Sequence, residues 1–322
     1  MEKPFKMGET LKETSEGLDI KAEVMLVNQR LKELKDAQVS KKEETDAMRE
    51  LGLQRARLFG WPNTYAFTKA MGEMVIGHFK GNLPIVIIRP TVVTGTYREP
   101  FPGWLEGVKA VDPIIVTCGR GKLSYFIGNL ESILDVIPGD MVVNAAIVAM
   151  VGHANHHNSF QNEDDVEDEE LNIYHVGSFT NREAMSFAKV VDYAYHYFSK
   201  KPWIGRDGNS VTIGVKPVSF PTMASFQKHI YTNYILPMKE RKTSLVKISF
   251  VKRLVELYEP YLLFNGSFDD STTERLRMTM RANEAEAETF HFDPKCINWE
   301  DYFMNIHIPG LVKYVLKLEA PK

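Results

Sequence analysis

Cysteine is scarce in this chain: Cys118 and Cys296 are the only two in 322 residues. Two thiols cannot build a disulfide framework, which excludes a small disulfide-stapled secreted domain and points to a reducing compartment. Neither lies in a His-containing nucleophile signature, so each reads as a buried structural thiol. Long apolar runs are also missing. The longest, from Met141 to Gly152, is interrupted by Asn144 and falls short of the roughly 18 residues a membrane-crossing helix needs. There is no basic excess either: 39 Lys and Arg stand against 42 Asp and Glu, which argues against a nucleic-acid partner. The N-terminus is charged and has no apolar signal core. His153, His156 and His157 have no second ligand pair at metal-site spacing, so no metal is expected. No glycine-rich strand–turn–helix occurs of the kind that cradles a pyrophosphate at a helix N-terminus. The nearest candidate, Gly119-Arg-Gly121, lacks the third glycine.

What remains is an ordinary globular composition, 44% apolar and 25% charged, long enough for two domains. Apolar periodicity predicts charged helices over 18–37 and 41–57, with Val24, Val27, Leu31 and Leu34 forming a stripe on the first. A helix over 64–80 ends at Gly81-Asn82 and a buried strand follows over 84–90. Residues 98–124 read as a Pro/Gly/Trp-rich loop with a short helix near 104–110. A strand over 132–137, a Pro138-Gly139 turn and Asp140 as helix N-cap come next. Residues 153–170 read as a linker, with seven acids in the nine residues 162–170. A strand over 171–176 and a helix over 181–199, capped by Thr180 or Asn181, complete the α/β part. Beyond Pro202-Trp203 the pattern turns helical, near 222–238, 243–264, 271–284 and 309–319.

The stretch with chemistry in it is Gly60-Trp-Pro-Asn-Thr-Tyr-Ala-Phe-Thr-Lys69. Tyr65 and Lys69 are four residues apart and share a helix face. A phenol beside an ammonium can donate a proton to a carbonyl oxygen that is gaining negative charge. Spacing alone is weak, because Tyr197 and Lys201 repeat it. Context favours Tyr65: Pro62 and Asn63 suit a turn into a helix, and a β-branched strand follows. Tyr197 sits in an aromatic cluster that reads as packing.

The run Phe59-Gly-Trp-Pro-Asn-Thr-Tyr-Ala-Phe-Thr-Lys-Ala-Met-Gly-Glu73 resembles the catalytic segment of plant-type alcohol-forming fatty acyl-CoA reductases. These belong to the extended short-chain dehydrogenase/reductase group. The likeness continues through Ile88-Arg-Pro-Thr-Val-Val-Thr-Gly95, Glu99-Pro-Phe-Pro-Gly-Trp104, Asp135-Val-Ile-Pro-Gly-Asp-Met-Val-Val-Asn144 and His307-Ile-Pro-Gly-Leu-Val-Lys-Tyr314. The resemblance implies an α/β fold: the C-terminal half of a Rossmann-like domain over 1–200, then a mainly helical domain of the male-sterility type over 201–322. It implies that the first strands and glycine-rich turn of the complete domain are missing. It implies reduction of a long-chain fatty acyl-CoA to a primary alcohol with NADPH. Tyr65 would be the proton donor. Lys69 would draw the phenol toward its ionised form and hold the cofactor ribose, and Pro90, Thr91 and Val92 would lie against the nicotinamide. An intracellular location, endoplasmic reticulum or plastid, with peripheral membrane association, is attached to the resemblance and to no targeting residue. The alternative is a non-catalytic relative that binds acyl groups or pairs with a full-length reductase as a homo- or hetero-oligomer.

Overall fold

The computed structural model describes residues 3–13, 17–123, 125–127, 132–159, 171–179, 185–205, 207–214, 216–235, 266, 268–280 and 284–318. The chain divides into two compact units. One is formed by Lys3–Ile87 with Ser159–Ile173, and the other by Ile88–Asn158 with Tyr174–Lys322 and the first two residues.

The first unit is helical. α1 (Ile20–Asp36) is capped by the Asp19 carboxylate, and α2 (Lys41–Leu58) by a Ser40/Glu43 capping box. They are joined by a two-oxygen ion pair between Arg55 and Glu23, whose carboxylate is buried. The expected stripe on α1 is split: Leu34 is buried, while Val24 and Val27 are exposed. α3 (Thr64–Phe79) buries Phe67, Ala70 and Met74 against Leu18, Ala56, Phe59 and Trp61.

The second unit is α/β with a helical C-terminal region. β1 (Val86–Pro90), which enters from the first unit, pairs with β5 (Asn172–Val176). β2 (Val92–Thr94) runs parallel to β4 (Val136–Pro138) in the register Val92↔Val136, Val93↔Ile137, Thr94↔Pro138. β3 (Tyr125–Ile127) runs parallel to β6 (Val218–Phe220). Around them lie α4 (Asp112–Gly119), α5 (Gly139–Ser159), α6 (Phe187–Lys200) and α7 (Met223–Ile230), which a wide turn extends over Tyr231–Ile235. α8 (Ser271–Met280) and α9 (Glu284–Thr289) precede a helical run over 299–315, here α10. Pro309 lies inside that run. It lacks the N–H that an α-turn needs, and the flanking turns Tyr302–His307 and Leu311–Val315 widen to π geometry. The core joins α4, α6 and α10 through Ile115, Val190, Phe198, Trp299, Tyr302 and Phe303.

Several local expectations are corrected. No helix forms near 104–110, where Gly107 and Ala110 adopt positive φ (75° and 50°). The helix starts instead at Asp112, with Pro113 in its first turn, where a missing N–H costs nothing. The strand over 132–137 shrinks to Val136–Pro138, and Pro138 ends a strand rather than making a turn. The segment over 153–170 is not all linker, because α5 continues to Ser159; residues 160–170 lie outside the described set. α6 begins at Phe187 with Ser186 as its N-cap, while residues 180–184, with the expected caps Thr180 and Asn181, lie outside the described set. The helix expected over 243–264 also falls outside it.

The cysteines divide. Cys118 is buried, and burial pushes its thiol up to about 11. Cys296 is exposed, contrary to expectation. Alkylation of the native protein near about pH 8 should therefore label Cys296 and leave Cys118 untouched until the protein unfolds, as read by peptide mass spectrometry. Labelling of both at one rate would contradict this burial.

Candidate active site

Tyr65 is placed by two local devices. α2 stops in a Schellman motif: Trp61 N–H donates to the Ala56 carbonyl at 2.8 Å and Gly60 N–H to that of Arg57 at 3.2 Å. Gly60 has φ +86°, and a Cβ there would lie 2.7 Å from the Lys12 backbone nitrogen, so only glycine fits. Two residues on, the Asn63 side chain accepts the Ala66 N–H at 2.8 Å and starts α3. Trp61 and Phe67 fix the inner face of this corner in the core. Tyr65, 63% exposed, and Lys69 then stand together on the outer face. The Lys69 ammonium is 6.0 Å from the centre of the Tyr65 ring. The repeated spacing at Tyr197 and Lys201 has the opposite setting. Tyr197 is buried in the core, and burial raises its phenol.

Pro90, Thr91 and Val92 belong to the other unit, where β1 gives way to β2. Pro90 is exposed, while Thr91 and Val92 are half-buried. A buried carboxyl, Asp135, organises this crossing. Its Oδ1 accepts the Thr91 hydroxyl at 3.2 Å, the Ser178 N–H at 2.7 Å and the Ser178 hydroxyl at 3.1 Å. Its backbone carbonyl accepts the Val92 N–H at 3.1 Å. Oδ2 is buried without a partner, and Gly177 leaves it room, since a Cβ there would sit 2.7 Å away. Burial raises the Asp135 pKa, opposed by hydrogen bonds from Ser178 and Thr91.

The loop after β2 is held on three sides. Asp140, expected to cap α5, lies in that helix's first turn and turns its carboxylate to the loop. It accepts the N–H groups of Tyr97, Arg98 and Glu99 at 2.8, 2.7 and 3.1 Å. Gly95 N–H donates to His307 Nδ1 at 3.1 Å, and His307 Nε2 meets Asp112 Oδ1 at 2.9 Å. Because Nδ1 accepts, Nε2 carries the proton that Asp112 receives. The Tyr302 hydroxyl lies 2.8 Å from Thr94 Oγ1 and 2.5 Å from the Gly95 carbonyl, which accepts its proton. Gly103 and Gly310 touch backbone to backbone: a Cβ on Gly310 would meet the Gly103 carbonyl oxygen at 2.0 Å. His307, Asp112 and Tyr302 received no role from sequence reasoning. The one available signal was that His307-Ile-Pro-Gly310 and Phe101-Pro-Gly103 each belong to a quoted family segment. His153, considered as a ligand, meets the Tyr174 hydroxyl at 2.7 Å. Among the described residues no group of three or more His, Cys, Asp or Glu could hold a metal, and no helix is long and apolar enough to cross a membrane.

Two family models match this chain, both described as "Male sterility protein": an NAD-binding one over residues 9–146 and the Sterile one over 228–318. Fatty acyl-CoA reductase 1 of Arabidopsis thaliana is 46% identical over 98% of this chain and 65% of its own length. The alcohol-forming fatty acyl-CoA reductase of Simmondsia chinensis is 42% identical over 98% of this chain and 64% of its own. The protein named "Putative fatty acyl-CoA reductase 7" of Arabidopsis thaliana is 41% identical over 94% of this chain and 74% of its own length. The chain thus spans about two thirds of the length of the first two relatives.

Two outcomes follow from this geometry. Gly310→Ala drives a methyl into the Gly103 carbonyl, where neither backbone can yield cheaply. It should cost at least about 2 kcal/mol, read as a lower thermal midpoint; an unchanged midpoint would contradict the close approach. Asp135→Asn tests the buried carboxyl. A folded-state pKa raised by burial stabilises the fold below the unfolded value and loses that contribution as pH rises through the folded one. The difference in midpoint between Asp135→Asn and wild type should therefore move in the variant's favour from about pH 4 to about pH 7. A difference independent of pH would rule out a raised pKa.

Proposed function

We propose, from the premise that this chain belongs to the fatty acyl-CoA reductase family, that it reduces a long-chain fatty acyl-CoA to the primary alcohol with NADPH. The observation that carries this reading is the Tyr65–Lys69 pair, presented outward by a Schellman stop and an Asn63 cap in the stretch that resembles the family's catalytic segment. The nicotinamide cofactor supplies hydride when bound. The donor set fits its ribose end. Among the described residues no carboxylate pairs with Lys69, so its ammonium can take ribose hydroxyls while its charge lies beside the phenol.

The reaction takes two hydrides and two protons: at the thioester, addition gives a hemithioacetal whose C–S bond breaks to release coenzyme A as the thiol and leave the aldehyde, and a second addition gives the alcohol. Tyr65 donates its hydroxyl proton to the carbonyl oxygen as negative charge gathers there. Lys69 stabilises the phenolate that remains, by proximity of unlike charge. Pro90, Thr91 and Val92 would offer the nicotinamide ring a backbone edge, which Asp135 keeps in place through Thr91 and Val92. The step needs no covalent cysteine intermediate: the Cys118 thiol is buried and hard to ionise, and desolvation also pushes the Cys296 thiol above its ordinary value. The choice of NADPH over NADH, the acyl chain and an intracellular site near membranes come with the family reading.

Tyr65→Phe should abolish alcohol formation from a long-chain acyl-CoA while leaving the circular-dichroism spectrum and thermal midpoint of wild type, since the side chain is exposed. Alcohol production retained by that variant, measured by gas chromatography, would refute the assignment.

A further inference from the structure

We infer that a cavity in the second unit binds a phosphate-bearing small molecule of nucleotide size. It measures about 650 Å³, within the range of ordinary ligand sites, and is walled by the end of α4, the 203–211 hairpin and residues 316–318. Among the described residues three cationic side chains line it, Arg120, Lys122 and Lys317, and no carboxylate does, in a chain whose net charge is −3. None of the three forms an ion pair with another described residue. Like charges gathered without a counter-charge repel one another and attract an anion.

The cations are placed by the backbone. Gly121 has φ +63°, which lets the turn reverse between Arg120 and Lys122; a Cβ there would crowd Val211 at 3.2 Å. The Arg120 guanidinium is fixed 4.9 Å over the ring of Trp203, which is itself buried. Lys317 adopts φ 50°, a left-handed conformation that favours glycine. A strained lysine beside a cavity keeps an ammonium where a glycine would sit more easily, which is the pattern of strain held for function. Planar guanidinium donors with two ammoniums suit phosphate oxygens better than a single carboxylate. The aliphatic wall of Val211, Leu316 and Leu318 accommodates the uncharged body of the ligand. Naming coenzyme A as the carrier of those phosphates rests on the reductase reading; the anion site itself does not.

Isothermal titration of the full chain with coenzyme A, 3′,5′-ADP and inorganic phosphate tests this, using Lys122→Ala and Lys317→Gly. Both nucleotides should bind saturably and more weakly as salt is added. Each variant should lose about fivefold in affinity. Lys317→Gly should at the same time keep or raise the thermal midpoint, because glycine relieves the left-handed backbone, so that weaker binding cannot be ascribed to a damaged fold. No binding of either nucleotide, or unchanged affinity in the double variant, would overturn the inference. So would binding confined to phosphatidylglycerol vesicles, which would make the source a lipid headgroup. Nucleotide binding without acyl-CoA reduction would leave the inference standing and count against the reductase reading; reduction with unchanged affinity in the double variant would do the reverse.

Discussion

The second unit depends on the clamp between the loop after β2 and the helix over 299–315. Two glycines make it possible. Gly103 and Gly310 approach so closely that no side chain fits at Gly310, and this brings His307 to Gly95 and Tyr302 to Thr94. Its central polar groups are paired: a backbone N–H meets an imidazole, the imidazole meets Asp112, and a phenol meets a hydroxyl and a carbonyl. In a buried setting such a network resists sliding, because any shift leaves a donor or acceptor unsatisfied. Residues 299–315, within the stretch the Sterile model matches, thereby belong to the same compact unit as the strands leading from Pro90.

The proposed chemistry is simpler than its support. Tyr65 and Lys69 need nothing beyond one turn of helix, and the protein's effort goes into stopping α2, restarting at Asn63 and keeping the pair outward. In the other unit, Asp135 holds Thr91 with its side chain and Val92 with its carbonyl, which fixes the exit of β1. Both devices are small and built from hydrogen bonds; the first is local, and the second joins residues 44 apart in the chain.

What could be read from the sequence follows the range of the interactions. α1, α2 and α3 were legible within a residue or two, since capping residues and 3.6-residue periodicity are local signals. That Tyr65 and Lys69 share a helix face was legible for the same reason. The role of Asp140 was not, because its partners Tyr97, Arg98 and Glu99 lie some 41 to 43 residues away, and a helix-start aspartate looks the same whether it caps the helix or a distant loop. The His307–Gly95 bond spans 212 residues and left only a motif without a role. The start of α4 was missed because positive φ at Ala110 is set by the folded loop and not by alanine's own preference.

The central claim is that Lys69, beside Tyr65, forms part of a nicotinamide-nucleotide site. Fluorescence titration of the purified 322-residue chain with NADPH tests it most directly. The account predicts saturable binding that weakens about tenfold or more in Lys69→Ala, a loss of roughly 1.4 kcal/mol. A folded sample that does not bind NADPH, or that binds it equally well without the Lys69 ammonium, would contradict it.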